Sequence, residues 1–203
     1  MPRLFLATSN PHKTAEVAAI LGESWEVEDL RAHPGLTLPE ETGETFEANA
    51  IIKAQGGSAA MRGVWVLADD SGLEVDILKG APGVYSARYA GPGATDEANR
   101  TRLKNELRVL AANPGQAFPG RFRCCMALVR DGKLLKVTHG TIEGRLLLRE
   151  QGTRGFGYDP LFVPNGHKES FGMLSDTIKN RLSHRAAALR EMREWLDAHM
   201  DEA

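Results

Sequence analysis

The N-terminal segment predicts a strand, a tight loop and a helix in immediate succession, and this unit most constrains the fold. Residues 3–8 form a short apolar run that is typical of a buried strand. Asn10 suits the N-cap of a helix, Pro11 suits its first position, and Gly22 suits its end. A strand that leads directly into a helix is characteristic of α/β proteins.

Further apolar patterns predict a mixture of strands and helices along the rest of the chain. Helices are expected at 44–61, 95–112 and 183–200, and strands at 64–68, 73–78, 122–129 and 133–138. Asp131-Gly132 separates the last two strands and predicts a hairpin, so the sheet contains an antiparallel pair. Residues 23–43, 80–93 and 152–164 have loop-like sequences, the first two rich in glycine and proline.

Length and composition limit the functional classes. A chain of 203 residues corresponds to one domain, or to one domain with a second lobe. Hydrophobic residues make up 42% and charged residues 26%, which is ordinary for a globular protein and excludes disorder, collagen and a coiled-coil rod. The net charge of −2 argues against a general nucleic-acid-binding protein, which is more often basic.

The cysteines and the apolar runs bear on the compartment. Cys124 and Cys125 are the chain's two cysteines, and adjacent cysteines bridge only with strain. We therefore expect two reduced thiols in a strand and a reducing compartment. No run approaches the ~20 apolar residues of a membrane span, so we predict a cytoplasmic protein without a membrane partner.

The loop that begins the first helix has the features of a phosphate site. Backbone N–H groups and the positive end of the helix dipole converge there, and Lys13 adds a positive charge. The glycine-rich P-loop pattern is absent. The alternative is an ordinary helix cap beside an exposed lysine.

Carboxylates follow the strand predicted at 64–68. Asp69 and Asp70 stand where α/β proteins place ligands, and neighbouring strand residues point to opposite faces, so the two have different roles. The alternative is a turn formed by Asp, Ser and Gly. Glu41 belongs to an acidic stretch that could equally be a helix N-terminus. Because Mg²⁺ takes one or two carboxylates plus substrate phosphates, Glu41 and Asp70 could supply that pair.

Two later segments complete the candidate residues. Phe156 and Tyr158 lie among glycines and could stack on a flat base, or could simply pack into the core. Lys179, His184 and Arg185 gather positive charge near a helix start, although a structural histidine is the usual case. The six histidines show no metal-ligand spacing, so no zinc site is predicted.

Taken together, these segments resemble the inosine triphosphate pyrophosphatase family over almost the whole chain. The resemblance rests on six stretches in order: TSNPHK (8–13), ETGETFEANA (41–50), ADDSGL (68–73), GAPGVYSARY (80–89), FGYDP (156–160) and SHR (183–185). The family often has glycine where this chain has His12, which affects the shape of the first loop.

The resemblance implies a fold, a reaction and partners. The fold would be α/β, an elongated two-lobed domain over residues 1–203, built around a mixed β-sheet with flanking helices and a nucleotide-binding cleft. The reaction would convert a non-standard purine nucleoside triphosphate (ITP, dITP or XTP) and water into the monophosphate and pyrophosphate. Mg²⁺ would be required, and the protein would be a homodimer.

The resemblance also implies residue roles. Asp70 would be the catalytic base and, with Glu41, would contact Mg²⁺. The substrate would be bound by Thr8, Ser9, Asn10, Pro11, His12, Lys13, Lys53, Ser71, Phe156, Gly157, Tyr158, Asp159, Lys179, His184 and Arg185. Lys179 or Arg185 would donate to the C6 oxygen of hypoxanthine or xanthine, because both side chains carry donors only.

Three competing hypotheses make different predictions. A pyrophosphatase of similar architecture would prefer modified pyrimidine triphosphates. A regulatory module would bind nucleotide without turnover, although Asp70, Glu41 and Lys13 are all present. A nucleic-acid-binding domain would need a basic, aromatic strand pattern that the chain lacks.

Overall fold

The computed structural model describes residues 2–113 and 115–199, which contain five α-helices and six β-strands. The helices are α1 (Pro11–Leu21), α2 (Phe46–Ala60), α3 (Asp96–Leu110), α4 (Asp176–Leu182) and α5 (His184–His199). The strands are β1 (Arg3–Leu6), β2 (Glu26–Asp29), β3 (Trp65–Val75), β4 (Phe118–Arg130), β5 (Lys133–Leu146) and β6 (Phe162–Pro164).

The strands form one mixed sheet in the order β2-β1-β3-β4-β5-β6. Strand β1 is parallel to β2 and to β3, whereas β5 and β6 are antiparallel. The predicted hairpin joins β4 to β5, and its two turn residues, Asp131 and Gly132, have φ of 49° and 77°. Positive φ at both positions gives the turn a twist that matches the flanking strands. The α/β class and the mixed sheet are confirmed.

Several predicted boundaries were wrong, and the sheet explains most of them. The expected loop at 23–43 contains β2, and the expected loop at 152–164 contains β6. The two strands expected at 64–68 and 73–78 are one strand, so Asp69 and Asp70 lie within β3 rather than in a turn. Helix α4 was not predicted. The expected end of the last helix, Met200, lies outside the described residues.

The chain divides into two compact units. Unit 1 comprises the chain up to Asp70, Cys124–Gly140, and the chain from His184 onward. Unit 2 comprises Ser71–Arg123 and Thr141–Ser183. Each unit has its own hydrophobic core.

In unit 1, helices cover both faces of the sheet. Leu4 and Leu6 of β1 pack in one core with side chains of α1 and α5. Phe5, which alternates with them, points to the other face, where Gly57 of α2 approaches the sheet. A Cβ at Gly57 would lie 3.0 Å from Val66 and 3.4 Å from Phe5, so a larger side chain would push α2 away. This packing fixes α2, which carries several polar residues of the candidate site.

In unit 2, aromatic and aliphatic side chains form the core. Phe122, Phe162 and Phe171 pack together with ring centroids 4.7–6.4 Å apart. Leu103 and Leu107 of α3 complete this core from one side. Within the described part of the chain, no helix combines the length and the apolar character needed to cross a bilayer.

Candidate active site

Two adjacent carboxylates of β3 form the centre of the candidate site in unit 1. Asp69 and Asp70 are 1% and 6% exposed, and their side chains point to opposite faces of the strand. As the alternation predicted, they have separate sets of partners.

Asp69 is held by two cations. Lys13 Nζ lies 3.0 Å from its Oδ1, and Arg185 donates from Nε and Nη2 to its Oδ2 at 3.3 and 3.1 Å. Arg185 also donates from Nη1 to Glu16 of α1. Asp69 therefore joins the first turns of α1 and α5, and its oxygens are committed to this ionic network.

Asp70 has a different environment. Asn49 donates from Nδ2 to its Oδ2 at 3.1 Å, and Lys53 Nζ lies 3.3 Å from its Oδ1. Lys53 also donates to Glu41 Oε1 at 2.6 Å. Asn49 is itself fixed, because its Oδ1 accepts the backbone N–H of Gly43 at 2.8 Å. Asp70 and Glu41 thus meet at one buried ammonium group.

The two environments move the carboxyl pKa values in opposite directions. Burial alone would raise the pKa of Asp69, but Lys13 and Arg185 outweigh it and hold that pKa well below its usual range. Burial raises the pKa of Asp70, and the charge of Glu41 adds to the effect while Lys53 opposes it. Asp69 is therefore a permanent anion, whereas Asp70 is the carboxylate that takes up a proton more readily. The sequence alone left open which of the two does so.

The first loop confirms the predicted helix cap but not the expected unoccupied N–H groups. Asn10 Oδ1 accepts the backbone N–H groups of His12 at 2.9 Å and Lys13 at 3.4 Å. The N–H of Asn10 is in turn donated to Thr8 Oγ1 at 3.2 Å. A phosphate would have to replace some of these bonds, because Asn10 already satisfies them. Ser9, Pro11 and His12 are exposed, as a ligand-facing loop requires.

A second group of side chains lies in unit 2. Lys179 of α4 and Asp159 are both buried, and Lys179 Nζ lies 2.7 Å from Asp159 Oδ2. The same ammonium stands over the ring of Phe156, 4.6 Å from its centroid. The N–H of Phe156 is donated to Asp159 Oδ2 at 2.9 Å, which fixes the aromatic residue relative to the pair. The arrangement combines a flat aromatic face with a hydrogen-bond donor.

Hydrogen bonds to α3 and to Ser86 hold the loop that carries this group. Gly157 donates its N–H to Asp96 at 2.7 Å and accepts from Arg100 at 2.9 Å, both on α3. Its φ of 60° is one that L-residues other than glycine seldom adopt. Tyr158 is buried and donates its hydroxyl to the carbonyl of Ser86 at 2.8 Å. Tyr158 is thus a core residue of unit 2 rather than a free stacking surface, whereas Phe156 is only partly buried.

The structure assigns residues that the sequence had grouped to different units. Lys179 belongs to unit 2, whereas His184 and Arg185 begin α5 in unit 1. The side chain of Arg185 is 1% exposed and is bonded to Glu16 and Asp69. Of the two residues predicted as donors to the base, Lys179 or Arg185, this arrangement favours Lys179. Ser71 directly follows Asp70 and is half-buried.

Sequence reasoning missed two residues of the site. Asn49 carried no predicted role, and Glu16 was not considered. Their spacing from predicted site residues could have indicated both. Asn49 precedes Lys53 by four residues on α2, and Glu16 follows Lys13 by three on α1. Residues at these spacings lie on the same helix face.

Comparison with known sequences finds a family model and relatives that match nearly the whole chain. The Ham1 family model matches residues 4–195. A Halalkalibacterium halodurans protein named dITP/XTP pyrophosphatase is 42% identical over 198 residues, covering 97% of this chain and 100% of the relative. An Exiguobacterium protein of the same name is 46% identical over 192 residues, covering 94% of each chain.

Solved structures show the same fold. The Staphylococcus aureus Ham1 protein superposes with a TM-score of 0.82 at 34% identity, covering 97% of this chain and 99% of the other. A HAM1 protein from Coxiella burnetii gives the same TM-score and identity, covering 98% and 100%.

Proposed function

The chain belongs to the Ham1 family, and we propose that it is a nucleoside triphosphate pyrophosphatase acting on non-standard purine nucleotides. Its substrates would be ITP, dITP and XTP, and its products the nucleoside monophosphate and pyrophosphate. The relatives' name, dITP/XTP pyrophosphatase, supports the substrate class. The observation that carries the proposal is the buried Asp70, whose pKa is raised and whose orientation is set by Asn49 and Lys53.

The reaction needs a proton acceptor beside the attacking water. Water adds to the α-phosphorus, the bond from that phosphorus to the bridging oxygen of pyrophosphate breaks, and one water proton must be removed. Asp70 is suited to accept this proton, because a base whose pKa lies nearer neutrality is more effective than an ordinary carboxylate. Asp69 is unsuited, because its charge is neutralised by Lys13 and Arg185.

The donor set around Asp70 fits a Mg²⁺ ion. Glu41 and Asp70 both contact the single ammonium of Lys53, at 2.6 and 3.3 Å, so their oxygens already converge on one cation, whose place at that point Mg²⁺ would take. Two carboxylates that share such a point are ligands of the kind that Mg²⁺ uses together with substrate phosphates. Mg²⁺ held by Glu41 and Asp70 would supply charge neutralisation for the triphosphate.

The cations of unit 1 would bind the triphosphate. Lys13 and Lys53 carry positive charge beside Asp69 and Asp70, and Thr8, Ser9 and Asn10 surround the start of α1 with polar groups. Electrostatic stabilisation of developing negative charge is the larger part of phosphoryl-transfer catalysis. We assign this role to the loop at 8–13 and to Lys53.

The group in unit 2 would recognise the base. Phe156 offers a partly exposed ring, and the ammonium of Lys179 beside it is a hydrogen-bond donor only. A lysine donates to the C6 oxygen of hypoxanthine or xanthine, but it meets the C6 amino group of adenine donor to donor. This difference supports discrimination against ATP.

We extend the proposal to the cellular setting. The chain would act as one domain, as a homodimer in the cytoplasm, and would remove deaminated purine nucleotides from the nucleotide pool. The family resemblance supports the dimer, and light scattering of the purified protein would test it. Cys124 and Cys125, buried side by side without a disulfide, are consistent with a reducing compartment.

A product assay tests the central proposal. Purified protein with Mg²⁺ is given ITP, XTP, GTP, ATP and a modified pyrimidine triphosphate in separate reactions, and the released phosphate is identified. We expect pyrophosphate from ITP and XTP and little product from the others. Orthophosphate, equal turnover of all substrates, or preference for the pyrimidine would contradict the proposal. Tight binding of ITP without product would indicate a regulatory module instead.

The metal assignment has its own test and matched control. Glu41→Gln should raise the Mg²⁺ concentration needed for half-maximal activity by about 10-fold or more, because one charged ligand is lost. Glu40→Gln changes an exposed neighbour and should leave that concentration unchanged. Equal effects of the two substitutions would argue against Glu41 as a metal ligand.

A further inference from the structure

Three potential metal ligands other than Glu41 and Asp70 come together in unit 1. They are Glu47, Cys125 and His139, whose ligand atoms all lie within 4.8 Å of one another. His139 Nε2 and Glu47 Oε2 are 3.3 Å apart. None of the three belongs to the candidate active site described above.

Each ligand comes from a different element, which is why spacing along the sequence did not indicate a metal site. Glu47 stands in the first turn of α2, Cys125 on β4 and His139 on β5. Cys124 packs in the core on the α1 and α5 side of the sheet, and its neighbour Cys125 points to the α2 side. The β4–β5 hairpin and α2 therefore bring together three ligands that are far apart in the sequence.

The donor types select a class of metal. A thiolate, an imidazole and a carboxylate form a mixed sulfur, nitrogen and oxygen set, which suits Zn²⁺ and not the oxygen-seeking Mg²⁺ or Ca²⁺. Bond lengths of about 2.0–2.3 Å in a tetrahedral zinc site place ligand atoms roughly 3.3–3.8 Å apart. The pair formed by His139 and Glu47 already has this separation. The sulfur, which lies within 4.8 Å of both, needs to approach by no more than about 1.3 Å to complete the site.

We propose that Glu47, Cys125 and His139 bind one Zn²⁺ ion, with the fourth position open to water. The side chains of His139 and Glu47 are 55% and 51% exposed, which gives the ion a path from solvent, while Cys125 at 1% exposure forms the floor of the site. On binding, the Cys125 thiol gives its proton to solvent and the sulfur forms the bond to the metal. The ion joins the start of α2 to the β4–β5 hairpin.

Cobalt spectroscopy tests the proposal without relying on activity. Co²⁺ replaces Zn²⁺ and shows a sulfur-to-metal charge-transfer band only when a thiolate is bound. We expect one equivalent of Co²⁺ to produce this band together with the intense visible bands of a tetrahedral site, and Zn²⁺ to displace it. Because Cys124 and Cys125 are the chain's two thiols, the band can only come from one of them.

Matched variants identify the sulfur and the other ligands. Cys125→Ser should abolish the band, whereas Cys124→Ser should retain it. His139→Gln should weaken Zn²⁺ binding by more than about 10-fold, because even the loss of an outer partner of a ligand costs 10–100-fold. His167→Gln, a substitution elsewhere on the surface, should not weaken it.

Thermal unfolding of the full chain supplies a second readout. Zn²⁺ should raise the Tm of the wild type, since it binds the folded state, and should not raise that of His139→Gln. Glu41→Gln should keep both the band and the Tm shift, which separates this site from the proposed Mg²⁺ site. Absence of the band in wild type, its survival in Cys125→Ser, or its loss in Glu41→Gln would overturn the proposal.

Discussion

The adjacent aspartates on β3 show how different surroundings give identical side chains different properties. Asp69 is neutralised by Lys13 and Arg185, whereas Asp70 shares a single ammonium with Glu41. We predict that Asp70→Asn abolishes pyrophosphate release while the fold is kept, because the amide preserves the shape and Glu41 still pairs with Lys53. Activity assays and urea unfolding of the same preparation measure both effects.

Asp69→Asn should behave in the opposite way. The substitution leaves the positive charges of Lys13 and Arg185 with less compensation inside the protein, and breaking a buried ion pair costs about 3–5 kcal/mol. We therefore expect the free energy of unfolding to fall by roughly that amount. If Asp69→Asn were as stable as the wild type, the anchoring role of Asp69 would have to be abandoned.

Asn49 should set the pH dependence of the reaction. A base must be ionised, so activity falls as pH drops through the pKa of Asp70, which burial raises above the ordinary value of about 3.9. The hydrogen bond from Asn49 opposes that rise. Asn49→Ala should therefore move the acidic limb of kcat/KM to higher pH and lower kcat by about 10–100-fold through misplacement of the base.

Asn99→Ala is the matched control for this experiment. Asn99 is equally buried, and it accepts from Ala90 N–H at 2.8 Å and donates to the Ala87 carbonyl at 3.0 Å in unit 2. Asn99→Ala should destabilise the protein about as much as Asn49→Ala but should leave the acidic limb of the kcat/KM profile at its wild-type pH. A shift of the limb in both variants would indicate a general effect of destabilisation.

At the scale of elements, close backbone approach fixes helix α5 on the sheet. A Cβ at Gly140 of β5 would collide with the His184 carbonyl and lie 2.6 Å from the backbone nitrogen of Ala188. Backbone atoms cannot turn aside as a side chain can, so Gly140→Ala should cost about 1–3 kcal/mol or more. Gly35→Ala, where a Cβ meets nothing within 4 Å, should change stability by less than about 0.5 kcal/mol. Denaturant midpoints compare the two.

Helix ends were predictable because their signals are local. Asn10 and Gly22 bound α1, and Thr95 caps α3, as their side chains indicate. The strand β2 was missed because its sequence, EVED, carries three acidic residues at the edge of the sheet and lacks strand propensity. The four residues Asp69–Gly72 have the composition of a turn, yet pairing across the sheet keeps them extended within β3. Tertiary contacts determine the secondary structure of such segments, and no local sequence pattern indicates these contacts.

Contacts between distant residues also limited the prediction of the candidate site. The motifs and the family resemblance named Asp70, Lys53 and Lys179 as candidates, and each is buried beside a polar or charged partner. They did not predict that Arg185 would be committed to carboxylates, because its partner Asp69 lies 116 residues away in the sequence. Partners at that separation are brought together by the fold alone. The residue types were therefore predictable, and their pairings were not.

At the scale of the whole molecule, the two units differ in the chemistry of their polar groups. The polar centre of unit 1 combines carboxylates with cations and suits hydrolysis of a phosphoanhydride. That of unit 2 combines an aromatic ring with Lys179 and Asp159, which suits recognition of a base. We therefore predict that substitutions at the polar centre of unit 1 lower the turnover of every substrate, whereas substitutions at the polar centre of unit 2 change which substrate is preferred.

Lys179→Met tests this division, because methionine keeps the length of the side chain and removes its N–H donors. The ratio of kcat/KM for ITP to that for ATP should fall by at least about 10-fold, within the ~10⁴ that a hydrogen-bonding site can supply. Asp70→Asn should lower both values and leave any residual ratio unchanged. A melting curve controls for the loss of the buried ion pair with Asp159. Equal losses on ITP and ATP in a folded Lys179→Met protein would show that the base is recognised elsewhere.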